Sequence, residues 1–124
     1  MNYTTIEQSK KLLELGLSPE SADMHYWPLP VDLPTTYSTA VVVEKPSKED
    51  LPCWSLASLM NILSKKALEF DDDGSAGLSS WMGKWEVHMY NCPIKCSDNY
   101  ENPINACMDI IEKLSKDGYL NKEV

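Results

Sequence analysis

Residues 102–119, "NPINACMDIIEKLSKDGY", restrict the fold more than any other stretch of the chain. Asn102 can accept a first-turn N–H, and Pro103 suits the first helical position, so a helix begins here. Ile104, Cys107, Ile110, Ile111 and Leu114 then recur at helical spacing. Gly118 supplies the left-handed stop and brings Tyr119 over Leu114. A helix this short, with one apolar stripe, is marginal alone in water. The rest of the chain has to supply the surface that covers it.

Two further helices are expected. Over residues 5–15, Thr5 and Gln8 have capping-box spacing, as do Thr4 and Glu7. Ile6, Leu12, Leu13 and Leu15 supply apolar faces, Gly16 ends the helix, and Leu17 can return to Leu12. Ser18 and Pro19 then predict one more helical turn. "CWSLASLMNILSKK", residues 53–66, reads as the middle helix, with Leu56, Leu59, Met60 and Leu63 on its stripe. Its start is expected just ahead of this stretch, where Ser47 and Asp50 have capping spacing or Asp50 caps directly ahead of Pro52.

Strand signals fall between these helices. The prolines between Pro28 and Pro34 remove ladder donors, so that segment is expected to be an extended surface connection. "STAVVVEK" (38–45) is a β-branched strand candidate. "ALEF" (67–70) is a short one, and Asp73-Gly74 is a hairpin signal after it. In "WMGKWEVHMYN", Trp85, Val87 and Met89 alternate with Glu86, His88 and Tyr90, the period of a half-buried strand. The expected architecture is a single α+β domain over residues 1–124, with about three helices packed on a small, mainly antiparallel sheet. One strand is expected to remain an open edge.

At 124 residues the chain can bury a real core without a staple, and 43% apolar residues with four Trp are enough to form one. A net charge of −8 repels phosphate and acidic lipid, which argues against nucleic-acid and membrane partners. The first residues lack a basic stretch followed by an apolar core, and no apolar run approaches a membrane span. The expected location is the cytoplasm, where thiols stay reduced.

Four constellations bear on chemistry. His88, Cys92, Cys96 and Cys107 supply the ligand number of a structural zinc site, but without a close Cys-x-x-Cys pair. Cys107 also lies on the last helix's apolar stripe, where a small buried residue is ordinary. Cys53, at the expected start of the middle helix, is a candidate nucleophile with His88 as its base, since a helix N-terminus lowers a thiol pKa. No Gly-rich oxyanion segment precedes it, and the plain alternative is a small residue under the helix. "FDDDG" lacks the alternation of a calcium loop and reads as a solvated turn. Tyr26 and Trp27, beside prolines, form either a protein-binding arm or a lid on the core. No phosphate-cradling loop, nucleophile elbow or cofactor motif is present.

Three stretches carry a resemblance: "EQSKKLLELGLSPESADM" (7–24), "PCWSLASLMNIL" (52–63) and "ENPINACMDIIEKLSKDGYL" (101–120). They resemble a family of small proteins of Bacteroidetes-type bacteria, their phages and mobile elements, with a Pro-x-Trp-Ser-Leu helix start. The family brings no assigned activity. Its pattern rests on Pro52, Trp54, Ser55 and Leu56 and does not require a thiol at position 53. Trp54 is expected at the centre of the core. The resemblance implies a phage- or mobile-element-associated accessory protein without catalytic activity, working through a protein partner.

Overall fold

The computed structural model describes residues 2–28, 38, 40–42 and 49–120. Three helices and two separate antiparallel ribbons make up an α+β fold. The order is α1 (Ile6–Leu15), β1 (Met24–Tyr26), β2 (Leu51–Cys53), α2 (Leu56–Phe70), β3 (Ser75–Trp81), β4 (Lys84–Tyr90) and α3 (Pro103–Lys116). The single sheet expected from the sequence is thus divided into two ribbons, β1–β2 and β3–β4.

The helix ends form as their residues dictate. Thr5 and Gln8 close a reciprocal capping box, and Asn102 accepts from Ile104 N–H ahead of α3. Both glycine stops are Schellman turns: Leu17 N–H reaches Leu12 C=O at 3.0 Å, and Tyr119 N–H reaches Leu114 C=O at 2.8 Å. Pro19–Ser21 form the expected extra turn.

The middle of the chain departs from expectation in three places. Residues 51–53 pair with β1 as β2, and α2 begins only after Ser55, whose side chain accepts from Ser58 N–H. Asp50 is therefore not the cap, and Cys53 belongs to a strand. "ALEF" is not a strand but the last turn of α2. Leu59, Ile62, Leu63, Lys66 and Ala67 form one buried stripe that runs straight through it. Lys66 joins that stripe through its methylene stem while its ammonium reaches Glu69 at 3.3 Å. Asp73-Gly74 turns α2 into β3 rather than joining two strands. Asp71 accepts from Asp73 N–H with its side chain, and Asp71 C=O accepts from Gly74 N–H.

The true hairpin turn is Met82-Gly83, both at positive φ (52° and 78°), as a two-residue I′ connection requires. The expected inward alternation holds on β4: Val87 and Met89 are buried and Trp85 half-buried. Beneath the ribbon lie α2, chiefly under β3, and α3, chiefly under β4. Half of the 38–45 strand candidate lies outside the described residues; within them, Val41 forms an isolated bridge with His25.

The two ribbons cover different cores. Trp54 is fully buried in the larger one with Leu12, Leu59, Leu63, Ile104, Ile111 and Leu114. Its indole N–H donates to Ser21 Oγ at 2.9 Å. The smaller core gathers Tyr26, Ala40, Leu51 and Cys53. Thr4 ties the two together: its N–H donates to Trp54 C=O, and its Oγ1 accepts from Trp54 N–H and meets Ser9 Oγ.

Candidate functional site

The sequence-level candidates do not come together as one site. Cys53 closes β2 with no exposed surface, and its thiol donates to Thr4 C=O at 3.4 Å. Burial pushes that thiol up, against the lowering effect of its Thr4 and Tyr26 hydrogen bonds. Lying in a strand rather than in the first turn of a helix, it lacks the electrostatic activation the nucleophile reading relied on.

His88 stands on the outward face of β4. Its Nε2 meets Ser79 Oγ at 3.0 Å and Glu86 Oε1 at 2.8 Å. The trio has the residue types of a hydrolase relay but not its wiring. A relay needs the base to take the serine proton on one nitrogen while the carboxylate holds the other. Here one nitrogen serves both neighbours, so a proton shared with Glu86 blocks acceptance from Ser79. Among the described residues no bond joins His88 to Cys53.

The zinc set is likewise dispersed. Cys107 is buried in α3, where its thiol points to Met60 Sδ at 3.6 Å. Burial pushes it up to about 12. Cys92 is buried and donates to Tyr90 C=O at 3.2 Å, whereas Cys96 is exposed. All four cysteines are free thiols. Cys96 and His88 do share an isolated backbone bridge. Even so, no three His, Cys, Asp or Glu side chains among the described residues are grouped to hold a metal ion.

Tyr26 and Trp27 separate. Tyr26 is buried, with its hydroxyl bonded to Thr4 C=O, and so belongs to the lid reading. Trp27 next to it is 38% exposed.

The feature that sequence reasoning missed is the outer side of the β3–β4 ribbon. Strand β3 reads "SAGLSSW", with little β-branching to mark it as a strand. The usable signal was Met82-Gly83 between Trp81 and Trp85. At this turn Trp81 is 80% exposed and Met82 85%. Their outer face continues through Tyr90, which stacks with His88 at 6.1 Å and covers the side-chain-free Gly77.

The two edges of this ribbon differ. β4 is lined by the segment 95–100: Met89 N–H donates to Lys95 C=O, Ser97 N–H to Val87 C=O, and Trp85 and Tyr100 exchange both bonds. The register slips by one residue between Ser97 and Tyr100. Ser97 Oγ fills the gap by accepting from Val87 N–H at 2.9 Å. Along β3, no further strand or loop bonds the edge among the described residues.

A cleft of about 360 Å³ lies between α1 and α3, beside Tyr100. Its polar groups answer one another: Gln8 donates to Asn105 at 2.7 Å and Lys11 pairs with Glu112 at 3.3 Å. Burial, then the nearby Asp109 carboxylate, raises the Tyr100 phenol. Most of the cleft's polar groups are thus already paired with one another, as at an ordinary helix junction.

Comparison with protein-family models, curated proteins and solved structures gives no match. No helix among the described residues is long and apolar enough to cross a membrane.

Proposed function

We propose that this chain is a non-enzymatic protein-interaction domain, carried in the cytoplasm as an accessory of a phage or mobile element. The hairpin tip carries the reading. Trp81 and Met82 stand 80% and 85% exposed at a two-residue turn. Tryptophan is the residue type most enriched among side chains that dominate protein interfaces, and methionine adapts to irregular surfaces. Neither is needed by the core, which closes beneath the ribbon without them. The resemblance to phage and mobile-element proteins supports the setting. The net charge of −8 favours a protein partner over nucleic acid.

The test is a pull-down from a phage-infected or native host, with the wild-type chain and Trp81→Ala side by side. A specific protein retained by the first and lost from the second is the expected result. A bound set indifferent to Trp81→Ala would remove the tip from the interface and with it the basis of the reading.

A further inference from the structure

Across the Met82-Gly83 turn, Trp81 pairs with Lys84, and in a two-residue hairpin that pair is the hydrogen-bonded one. Alternation then turns the backbone groups of Ser75, Gly77, Ser79 and Trp81 toward β4, and those of Ala76, Leu78 and Ser80 away from it. The same parity on β4 sends Trp85, Val87 and Met89 outward, where they bond the 95–100 segment. On β3 the outward residues meet no backbone partner among the described residues. Folded proteins guard such an edge with lysine, proline, a bulge or an inward charge, and Ser75–Trp81 carries none of these.

The two ends of this edge differ in chemistry. Ahead of Ser75 stand Asp71, Asp72 and Asp73, all exposed, and no lysine or histidine pairs with them among the described residues. The turn that carries them is held in place by Asp71, whose side chain accepts from Asp73 N–H and whose C=O accepts from Gly74 N–H. At the far end Trp81 is 80% exposed. A strand laid along β3 therefore meets carboxylates at one end and an indole at the other. We propose that this edge takes up an extended segment of a partner protein, with lysine or arginine beside the Asp71–Asp73 turn and an apolar residue beside Trp81. The proposal adds the partner's chemistry to the interaction reading above and rests on it.

Charge selects this occupant. The backbone bonds of an added strand give affinity without regard to sequence, so the side chains beside it set the choice of partner. A strand that runs one or two residues past Ala76 comes alongside the acidic turn, at about 3.3 Å per residue, and a lysine or arginine stem spans the remaining gap. The net charge of −8 draws a basic segment toward the whole molecule as well. A second copy of this chain fits the edge less well. Its β3 holds no basic residue, and Lys84 lies across β3 on β4, so pairing in either direction leaves the aspartates without a cation.

Amide hydrogen exchange of the full chain tests this. The probes are short peptides of alternating threonine and valine, one with a lysine pair at its amino end and one with the pair at its carboxyl end, so that both strand directions are offered. A single added strand makes a small interface, with Kd of about 100 µM. At about 1 mM, the lysine peptide of the matching direction should slow exchange at Ala76, Leu78 and Ser80 about tenfold. Gly77 and Ser79, whose N–H groups face β4, should not change. Glutamates in place of the lysines should weaken binding about tenfold or more. Asp72→Asn combined with Asp73→Asn should abolish that preference, and the turn uses only the backbone of Asp73. No protection by either lysine peptide overturns the proposal, as does equal protection by the glutamate peptides. A dimer of the chain alone that protects the same amides puts a second copy on the edge and overturns it too. If the edge stays open while a host protein is retained through Trp81, only the edge proposal fails. If no host protein is retained either, the interaction reading fails with it.

Discussion

The Tyr26 hydroxyl donates to the Thr4 carbonyl at 2.8 Å, and so locks β1 onto the amino-terminal segment. The Cys53 thiol shares that carbonyl at 3.4 Å. Tyr26→Phe therefore leaves the acceptor with a weaker donor rather than with none. The expected loss is about 1 kcal/mol, the net worth of one hydrogen bond, read from the urea midpoint at unchanged slope. A loss of 3 kcal/mol or more would mean that the thiol does not satisfy the carbonyl.

Trp54 fills the junction of α1, α2 and α3 and is anchored at its far end by Ser21. Trp54→Ala should cost about 3–5 kcal/mol or unfold the chain. Trp54→Phe keeps most of the volume and leaves Ser21 Oγ donating to Ser18 C=O, so it loses one hydrogen bond and should cost roughly half as much. Thermal unfolding followed by circular dichroism separates the two. A wild-type midpoint for Trp54→Ala would contradict its place in the core.

What the sequence disclosed follows from how local each signal is. α1 and α3 carry cap, stripe and stop within one segment, and both form where those residues put them. The β4 alternation was equally local. Strand β2 was hidden because Leu51–Cys53 owes its extended form to distant β1, not to its own composition. Asp73-Gly74 misled because the same dipeptide serves a helix-to-strand turn, whereas Met82-Gly83 lacked the usual Asn or Asp. The site was less legible still. The spacing of His88, Cys92, Cys96 and Cys107 says nothing about which face of strand, loop or helix each occupies. An open sheet edge has no residue code at all, since it consists of backbone groups left over once pairing is known.

The four thiols should react in order of exposure. Cys96 is exposed, while Cys53, Cys92 and Cys107 are all raised by burial. Native protein treated with iodoacetamide at pH 7.5 should gain one adduct, on Cys96, with the others following only in denaturant. Peptide mass mapping locates it. Faster labelling of Cys53 would show a thiolate the fold does not account for, and would return the nucleophile reading to consideration.

Gly74 is required for space. A Cβ there would sit 2.1 Å from the Ala67 carbonyl oxygen and 2.6 Å from its carbon, both backbone atoms that cannot swing aside. Gly83 has no atom near its Cβ position but holds φ at 78°. Gly74→Ala should therefore shift the end of α2 and cost about 2–3 kcal/mol, as overpacking does. Gly83→Ala meets only the left-handed backbone penalty, about 1–2 kcal/mol. Denaturant unfolding of both variants should rank Gly74→Ala as the more damaging. The reverse order would place the crowding at the hairpin instead.

Alkali should unfold this chain partly through Cys107. In the fold its thiol is pushed up to about 12, from an ordinary value of 9.0, by burial among apolar side chains. The unfolded chain thus releases this proton near pH 9, while the folded chain holds it to about pH 12. Between those limits the unfolded state binds fewer protons, so stability falls as pH rises, by about 1.4 kcal/mol per unit. Below pH 9 the contribution is fully present. Cys107→Ala removes this dependence, although it costs stability at every pH through the lost sulfur contacts. Between pH 8 and 10.5 the wild type should lose about 2 kcal/mol more than the variant. Tyr26 and Cys53, also raised by burial, are common to both proteins and cancel in the comparison. Urea titrations at the two pH values measure the difference, and equal losses would mean that the Cys107 thiol titrates as if exposed.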